Sequence, residues 1–230
     1  MKIGGLQKLS LIDYPGKTAA TVFLIGCNFK CGFCHNPELV DVRGKEVVSE
    51  KEFFSFLKDR IGLLDGVCIT GGEPTIVSDL FNFIKKIKEL GFLVKLDTNG
   101  SNPEVLKELI NFIDYVAMDI KTSKEKYKMV ANIDLDRINK SIDLIKGLKN
   151  YEFRITVVPE LVDKDDIEKI GKWLKGCKKI VLQQFRNERV LDKKFEKVKP
   201  YSDDVFFNFK KILEKNINNV ELRLWVFLMR

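Results

Sequence analysis

Gly66-Val-Cys-Ile-Thr-Gly-Gly-Glu-Pro74 opens a stretch that runs through Leu80-Phe-Asn-Phe-Ile-Lys-Lys-Ile87 to Phe92-Leu-Val-Lys-Leu-Asp-Thr-Asn-Gly100. Gly66–Thr70 is a short apolar run closed by two glycines and reads as a strand. Leu80, Phe83, Ile84 and Ile87 recur at helical spacing. Phe92–Leu96 is a second apolar run, ending in Asp97-Thr98-Asn99-Gly100. Strand, helix, strand within so short a span is a crossover unit, which demands a parallel strand pair and a right-handed connection.

The alternation spreads outward from that unit in both directions. Upstream, Thr21–Ile25 reads as a strand and Ser49–Leu64 as a helix, with Ser49 and Glu52 at capping-box spacing. Downstream, a helix is expected from about Pro103, a strand over Tyr115–Ile120, and a helix through Ile138, Ile142 and Ile145. Phe153–Val158 is the next strand, Ile167, Ile170 and Leu174 the next helix, and Ile180–Gln184 the next strand. Val205, Phe209, Ile212 and Leu213 mark a late helix, followed by the apolar stretch Val220–Met229. Six such units are too few for a closed eightfold barrel. The expected fold is α/β, a partial (β/α)6 barrel of TIM type with parallel strands, and an open doubly wound sheet is the other candidate. A single domain is expected over residues 1–230, its core about residues 18–185, with residues 1–17 and 186–230 packed on it. Both architectures gather their chemistry at the C-terminal strand ends.

Composition narrows the chemistry. Of 230 residues, 45% are apolar and 10% aromatic, enough for a substantial core, and charges of both signs are mixed along the chain, which excludes the disordered class. No basic start followed by an apolar leader is visible, and no apolar run approaches the roughly 18–20 residues of a membrane helix, so a soluble cytoplasmic protein without a membrane partner is expected. His35 is the only histidine, which excludes multi-histidine zinc and iron sites. Five cysteines with no export signal favour reduced thiols acting as metal ligands over a disulfide framework. The net charge of +7 permits nucleic-acid binding. The lysines are scattered, however, with clusters at Lys169–Lys179 and Lys193–Lys199 that read as solvated helix surface, and no interleaving of aromatic and basic residues supports a nucleic-acid partner.

Cys27, Cys31 and Cys34 follow the first parallel strand within eight residues. Three readings compete. A closed structural zinc site needs a fourth ligand, and only the adjacent His35 is near. Cys31-Gly-Phe-Cys34-His35 is also a literal haem-attachment pattern, but it leaves Cys27 unused. A [4Fe–4S] cluster takes four cysteines when saturated; with three, one iron stays open to an outside ligand. Gly71-Gly72-Glu73-Pro74 lets backbone approach a ligand and offers a carboxylate to an ammonium. Asp97-Thr98-Asn99-Gly100 supplies a carboxylate, a hydroxyl and a turn. Asp119 with Lys121, and Arg154 opening its strand, would add charge at the same edge.

Cys-x-x-x-Cys-x-Phe33-Cys resembles the signature of the radical S-adenosylmethionine (SAM) enzymes. The resemblance implies that Cys27, Cys31 and Cys34 hold a [4Fe–4S] cluster whose open iron binds SAM. One electron from the cluster then cleaves the sulfonium to a 5′-deoxyadenosyl radical. It implies further that Phe33, Gly71, Gly72, Glu73 and Pro74 contribute to SAM binding, as do Asp97, Thr98, Asn99, Asp119, Lys121 and Arg154. A monovalent cation is implied near Asp97 and Asp119. No catalytic side chain is needed beyond the cluster and SAM. Cys68 and Cys177, without partners at metal spacing, read as small buried hydrophobes.

Three further segments, Leu6–Gly16 within Lys2–Lys17, Cys34–Leu39 and Gln183–Arg186, resemble the activating proteins of anaerobic ribonucleoside-triphosphate reductase. That implies a glycyl-radical enzyme as partner and an electron donor such as flavodoxin or ferredoxin. An activase of another glycyl-radical enzyme, of pyruvate formate-lyase type, is the nearest alternative. A radical SAM enzyme acting on a small molecule or RNA would share the core motifs. A non-enzymatic iron–sulfur carrier would have no use for Gly71–Pro74.

Overall fold

In the computed structural model, which describes residues 1–224, eight strands form one sheet in the order β1 to β8. The strands are β1 (Ile3–Ser10), β2 (Ala19–Leu24), β3 (Gly66–Gly71), β4 (Leu93–Thr98), β5 (Tyr115–Asp119), β6 (Tyr151–Val157), β7 (Ile180–Gln184) and β8 (Val220–Arg223). β2 to β8 are parallel and β1 runs antiparallel to β2. No pairing joins β1 to β8 among the described residues, so the barrel is open on that side.

The six expected parallel strands are all present, each within three residues of its anticipated ends. Two strands extend the expected set. β1 lies in the opening segment, where Gly4 and Gly5 break the apolar alternation that signals a strand. β8 takes only the start of the apolar stretch Val220–Met229; residues 225–230 lie outside the described residues.

Seven helices connect the strands: α1 (Glu50–Lys58), α2 (Leu80–Glu89), α3 (Pro103–Leu109), α4 (Tyr127–Val130), α5 (Leu135–Lys146), α6 (Lys164–Trp173) and α7 (Asp203–Leu213). The anticipated cap of α1 is formed, with Ser49 and Glu52 each accepting from the other's backbone N–H. That helix stops at Lys58 rather than Leu64, and the chain goes on in turns through Gly62, left-handed at φ +80°. α6 carries a second reciprocal cap, between Asp163 and Asp166.

Strand alternation sorts the sheet into two faces. Val67, Ile69, Val94, Leu96, Val116, Met118, Phe153 and Ile155 are fully buried in the apolar core shared with the helices. Each such side chain stabilises the fold by roughly 1.5–3 kcal/mol. The other face carries Cys68, Lys95, Asp97, Asp119, Glu152 and Arg154 and is polar. Among the described residues no helix is long and apolar enough to cross a membrane.

Candidate active site

The cysteine loop leaves β2 through Gly26, whose φ of +104° suits glycine. Its two ends are tied together, with Gly26 N donating to Leu39 O at 2.8 Å and Cys27 N to Val40 O at 3.1 Å. Inside the excursion Cys34 N donates to Cys31 O at 2.9 Å, a tight turn that brings these cysteines to one side. Cys27, Cys31 and Cys34 all line a cavity of about 250 Å³ at the C-terminal ends of the strands. Burial pushes the Cys27 thiol up to about 12 and also raises Cys31, so a metal must displace protons to bind.

The donor set suits a polynuclear cluster. Among the described residues no three His, Cys, Asp or Glu side chains converge on a single point that could hold one ion. Three thiols bordering one cavity are the soft ligands an iron–sulfur cluster takes.

The segment after β3 approaches this loop through its glycines. Gly72 N donates to Leu24 O and Glu73 N to Gly26 O, at 2.9 and 2.8 Å. A Cβ on Gly72 would fall 2.0 Å from Gly26 O, so the glycine is required by the protein's own backbone at the root of the cysteine loop. Glu73 is 1% exposed and held by four donors. Its Oε1 accepts from Thr75 N, Thr75 Oγ1 and Thr98 Oγ1 at 3.1, 2.5 and 2.7 Å, and its Oε2 accepts from Asn99 N at 2.6 Å. Glu73 thereby clamps the end of β3 to the end of β4. Burial raises its pKa despite these donors. The Asn28 side chain ties the cysteine loop to the same turn, accepting from Asn99 Nδ2 at 2.9 Å and donating to Ser101 Oγ at 2.8 Å.

A chain of alternating charge, buried at Lys95 and Asp97 and partly buried beyond them, forms the cavity's other wall. Lys95 pairs with Asp97 Oδ1, and Asp97 Oδ2 accepts from Arg154 Nη1 at 2.9 Å. Arg154 Nε donates to Asp119 Oδ1 and Lys121 Nζ to Asp119 Oδ2, both at 2.9 Å. The register makes this possible, because Arg154 stands directly opposite Asp119 on the neighbouring strand. Burial alone would raise both carboxylates; the Arg154 guanidinium, with Lys95 or Lys121, instead holds each below its ordinary range. Burial likewise opposes the charge on Lys121 and Arg154, yet the carboxylates keep both pKa values raised.

Ten of the eleven residues expected to bind SAM line this one cavity, Phe33, Thr98 and Asn99 among them. Pro74 does not; it is buried as the first residue of a short 3-10 turn, where its missing N–H leaves no bond unmade. The monovalent cation expected near Asp97 and Asp119 would have to compete with Arg154, which already spans both carboxylates. Lys95, which the sequence pattern did not single out, belongs to the site. Its position two residues before Asp97 on one strand was the available signal, since alternation puts both on one face. Cys68 and Cys177 are buried at 1% and 3%, as expected, although Cys68 Sγ also receives Lys95 Nζ at 3.6 Å.

A second cavity, of about 520 Å³, adjoins the first and shares His35, Arg154, Thr156 and Gln183 with it. Ile12 and Asp13 border it on one side and Leu222, Arg223 and Leu224 on the other, so it occupies the open side of the barrel.

Comparison with known proteins agrees with the geometry. The radical SAM superfamily model matches residues 21–174. A Methanocaldococcus jannaschii protein named as a glycyl-radical enzyme activating enzyme is 39% identical, over 96% of this chain and 95% of its own. Pyruvate formate-lyase-activating enzyme of Clostridium pasteurianum is 28% identical over 78% of each chain. Among solved structures, Streptococcus suis SuiB bound to S-adenosylmethionine superposes with a TM-score of 0.66 at 17% identity, covering 87% of this chain and 49% of that one, a likeness of fold. The chain belongs to the radical SAM superfamily, whose members use a [4Fe–4S] cluster and S-adenosylmethionine, and within it to the glycyl-radical enzyme activating enzymes.

Proposed function

We propose that this enzyme generates the glycyl radical of an anaerobic ribonucleoside-triphosphate reductase in the cytoplasm. The observation that carries the reading is the convergence of three thiols and a chain of alternating charge on one cavity that opens into a second. When bound, the cluster and SAM supply a one-electron cleavage whose carbon radical removes hydrogen from a glycine Cα.

The chain's own residues bind and orient. Cys27, Cys31 and Cys34 hold the cluster. Glu73 Oε2, with a single donor, keeps acceptor capacity for the ammonium of SAM, while the saturated Oε1 fixes the carboxylate's orientation. Lys121 and Arg154, held charged by Asp119 and Asp97, offer cations to the SAM carboxylate. Gly71 and Gly72 keep the adjoining wall flat, and Phe33, Thr98 and Asn99 complete it. No acid or base of the protein takes part.

The segments carrying the reductase resemblance support the choice of target. Ile12 and Asp13, His35, and Gln183 with Gln184 come from three of them and border the 520 Å³ cavity together. The likeness to a pyruvate formate-lyase-activating enzyme keeps that target as the second reading.

The test begins with anaerobic reconstitution, excess dithionite and SAM, and chromatographic measurement of 5′-deoxyadenosine. Wild type should form it and Cys31→Ala should not; an iron-loaded wild type that forms none, even with a reductase added, refutes the reading. Electron paramagnetic resonance then decides the target. A glycyl doublet on the reductase and none on pyruvate formate-lyase is expected, and the reverse overturns the assignment.

A further inference from the structure

Lys193–Lys199 lies on no α-helix. Residues 186–199, between β7 and α7, form a strap laid across the cysteine loop. Leu191 N donates to Cys34 O at 3.1 Å, and Asp192 N to Gly32 O at 2.8 Å. Phe195 packs so closely on Gly32 that a Cβ there would lie 2.4 Å from its ring. The same ring meets Phe33 edge-on at 6.1 Å and Phe185 at 6.4 Å. Asn187 Nδ2 closes the strap on Glu196 O at 3.1 Å, and His35 Nε2 lies 2.8 Å from Arg186 O. Arg189 holds a left-handed φ of +52°, a cost sustained by the buried Val190 beside it.

The strap concentrates the protein's charge. Arg186, Arg189, Lys193, Lys194, Lys197 and Lys199 are all exposed, against Glu188, Asp192 and Glu196. That is a net +3 on fourteen residues of a chain whose total is +7. Among the described residues Lys193, Lys194 and Lys197 make no ion pair. Lys30 is exposed within the cysteine loop itself.

We propose that this strap is the docking surface for an acidic one-electron carrier protein that reduces the cluster. The inference rests on the three cysteines being the cluster's ligands. Electron transfer weakens steeply with distance, so a donor must dock where cluster-bearing backbone meets the surface, and the strap touches that backbone directly. Its free lysines provide steering for a negatively charged partner. A nucleic acid suits it less well. Glu188 and Glu196 interrupt the cations, and its one aromatic residue, Phe195, is packed inward rather than offered for base stacking. The step is a single electron transfer: the carrier's reduced centre loses one electron, the oxidised cluster gains it, and no bond or proton changes at the surface.

The test uses the reconstituted holoenzyme, a reduced acidic flavodoxin as probe, and the variant Lys193→Glu/Lys194→Glu/Lys197→Glu. Stopped-flow bleaching of the cluster gives the reduction rate and calorimetry gives the Kd, each at roughly 50 and 500 mM salt. At low salt the variant should be reduced at least about tenfold more slowly and bind correspondingly more weakly, and the wild type should lose most of that advantage at high salt. The 5′-deoxyadenosine yield with excess dithionite should be the same in both. The neutralising Lys→Gln triple should fall between them, which keeps the test intact if charge reversal disturbs folding. Unchanged flavodoxin kinetics in both triples overturn the inference, as does an effect confined to the binding of single-stranded RNA. Failure of the iron-loaded wild type with dithionite, even with a reductase added, overturns the proposed function, and this inference with it.

Discussion

Arg154 decides how the site's charges coexist. The buried Asp97 and the partly buried Asp119 share its guanidinium, and each also meets one lysine, so the row reads Lys95, Asp97, Arg154, Asp119, Lys121. Replacing Arg154 with glutamine leaves Asp97 and Asp119 with one partner each in a poorly hydrated wall. Breaking a buried pair typically costs about 3–5 kcal/mol, and a loss of that size is expected in urea denaturation at pH 7. Lysine should not rescue it, because a single ammonium cannot present the two separate nitrogens that reach the two carboxylates. The pH dependence has a definite sign. Both carboxylates are held low in the folded state, so the unfolded chain binds more protons near pH 4 and stability rises with pH there. The wild-type contribution is complete above the unfolded value of about 4 and disappears as pH falls through the depressed folded values. In Arg154→Gln those values rise towards the unfolded one, so less stability is left to lose in acid and the gap to wild type should narrow as pH falls below 4. A variant whose urea midpoint matches wild type from pH 7 to pH 3 would show that the bridge contributes nothing.

At the scale of elements, the cysteine loop is positioned by what its neighbours lack. Gly72 sits where a Cβ would strike Gly26 O, a backbone atom that cannot swing aside. Gly72→Ala must therefore push the end of β3 away from the residue preceding Cys27. A cost of roughly 1–3 kcal/mol is expected from overpacking, together with a lower iron content after reconstitution. Gly62→Ala is the control. It meets left-handed strain at φ +80° but no neighbour within 4 Å, and it lies outside the site. That variant should lose stability and keep its full iron content; equal iron loss in both would mean that global unfolding, rather than loop displacement, governs cluster assembly. The α6 cap can be tested separately. Asp163 is held at about 2, chiefly by the Asp166 backbone N–H, so its cap persists above pH 4 and is lost as pH falls towards 2. Asp163→Ala should cost about 1 kcal/mol at pH 7, and progressively less as the wild type is acidified.

The whole molecule follows from a sheet whose spatial order equals its sequence order. Each crossover places the next strand beside the last, so the C-terminal ends of the parallel strands β2 to β8 all reach the same edge. This is why the alternation of strands and helices alone assigns clusters as far apart in sequence as Cys27 and Lys121 to one site. The inner face was legible only at Asp97, Asp119 and Arg154, because a partial barrel reverses the usual rule that charge points outward. Lys95 and Glu152 stood in strands that looked merely apolar. β8 was hidden for a different reason, since the alternation Val220-Glu-Leu-Arg-Leu224 runs straight on into the apolar Trp225–Met229, which blurs the strand's end. Its function in the sheet becomes clear at Arg223, whose Nη2 lies 3.0 Å from both oxygens of the fully buried Glu152. The contact reaches across β7 and ties the last described strand to β6. Tyr115 Oη and Lys179 Nζ also serve Glu152, at 3.0 and 3.4 Å, but Arg223 is the strongest of the charges opposing its burial. Arg223→Ala should therefore cost about 3 kcal/mol, because it strands a charge rather than because it removes a contact. The double variant Arg223→Ala/Glu152→Gln separates the two causes. With no carboxylate left to strand, it should recover at least about 1 kcal/mol relative to Arg223→Ala alone. A double variant no more stable than the single would mean that Arg223 acts by packing along β8, and that Glu152 is adequately held by Tyr115 and Lys179.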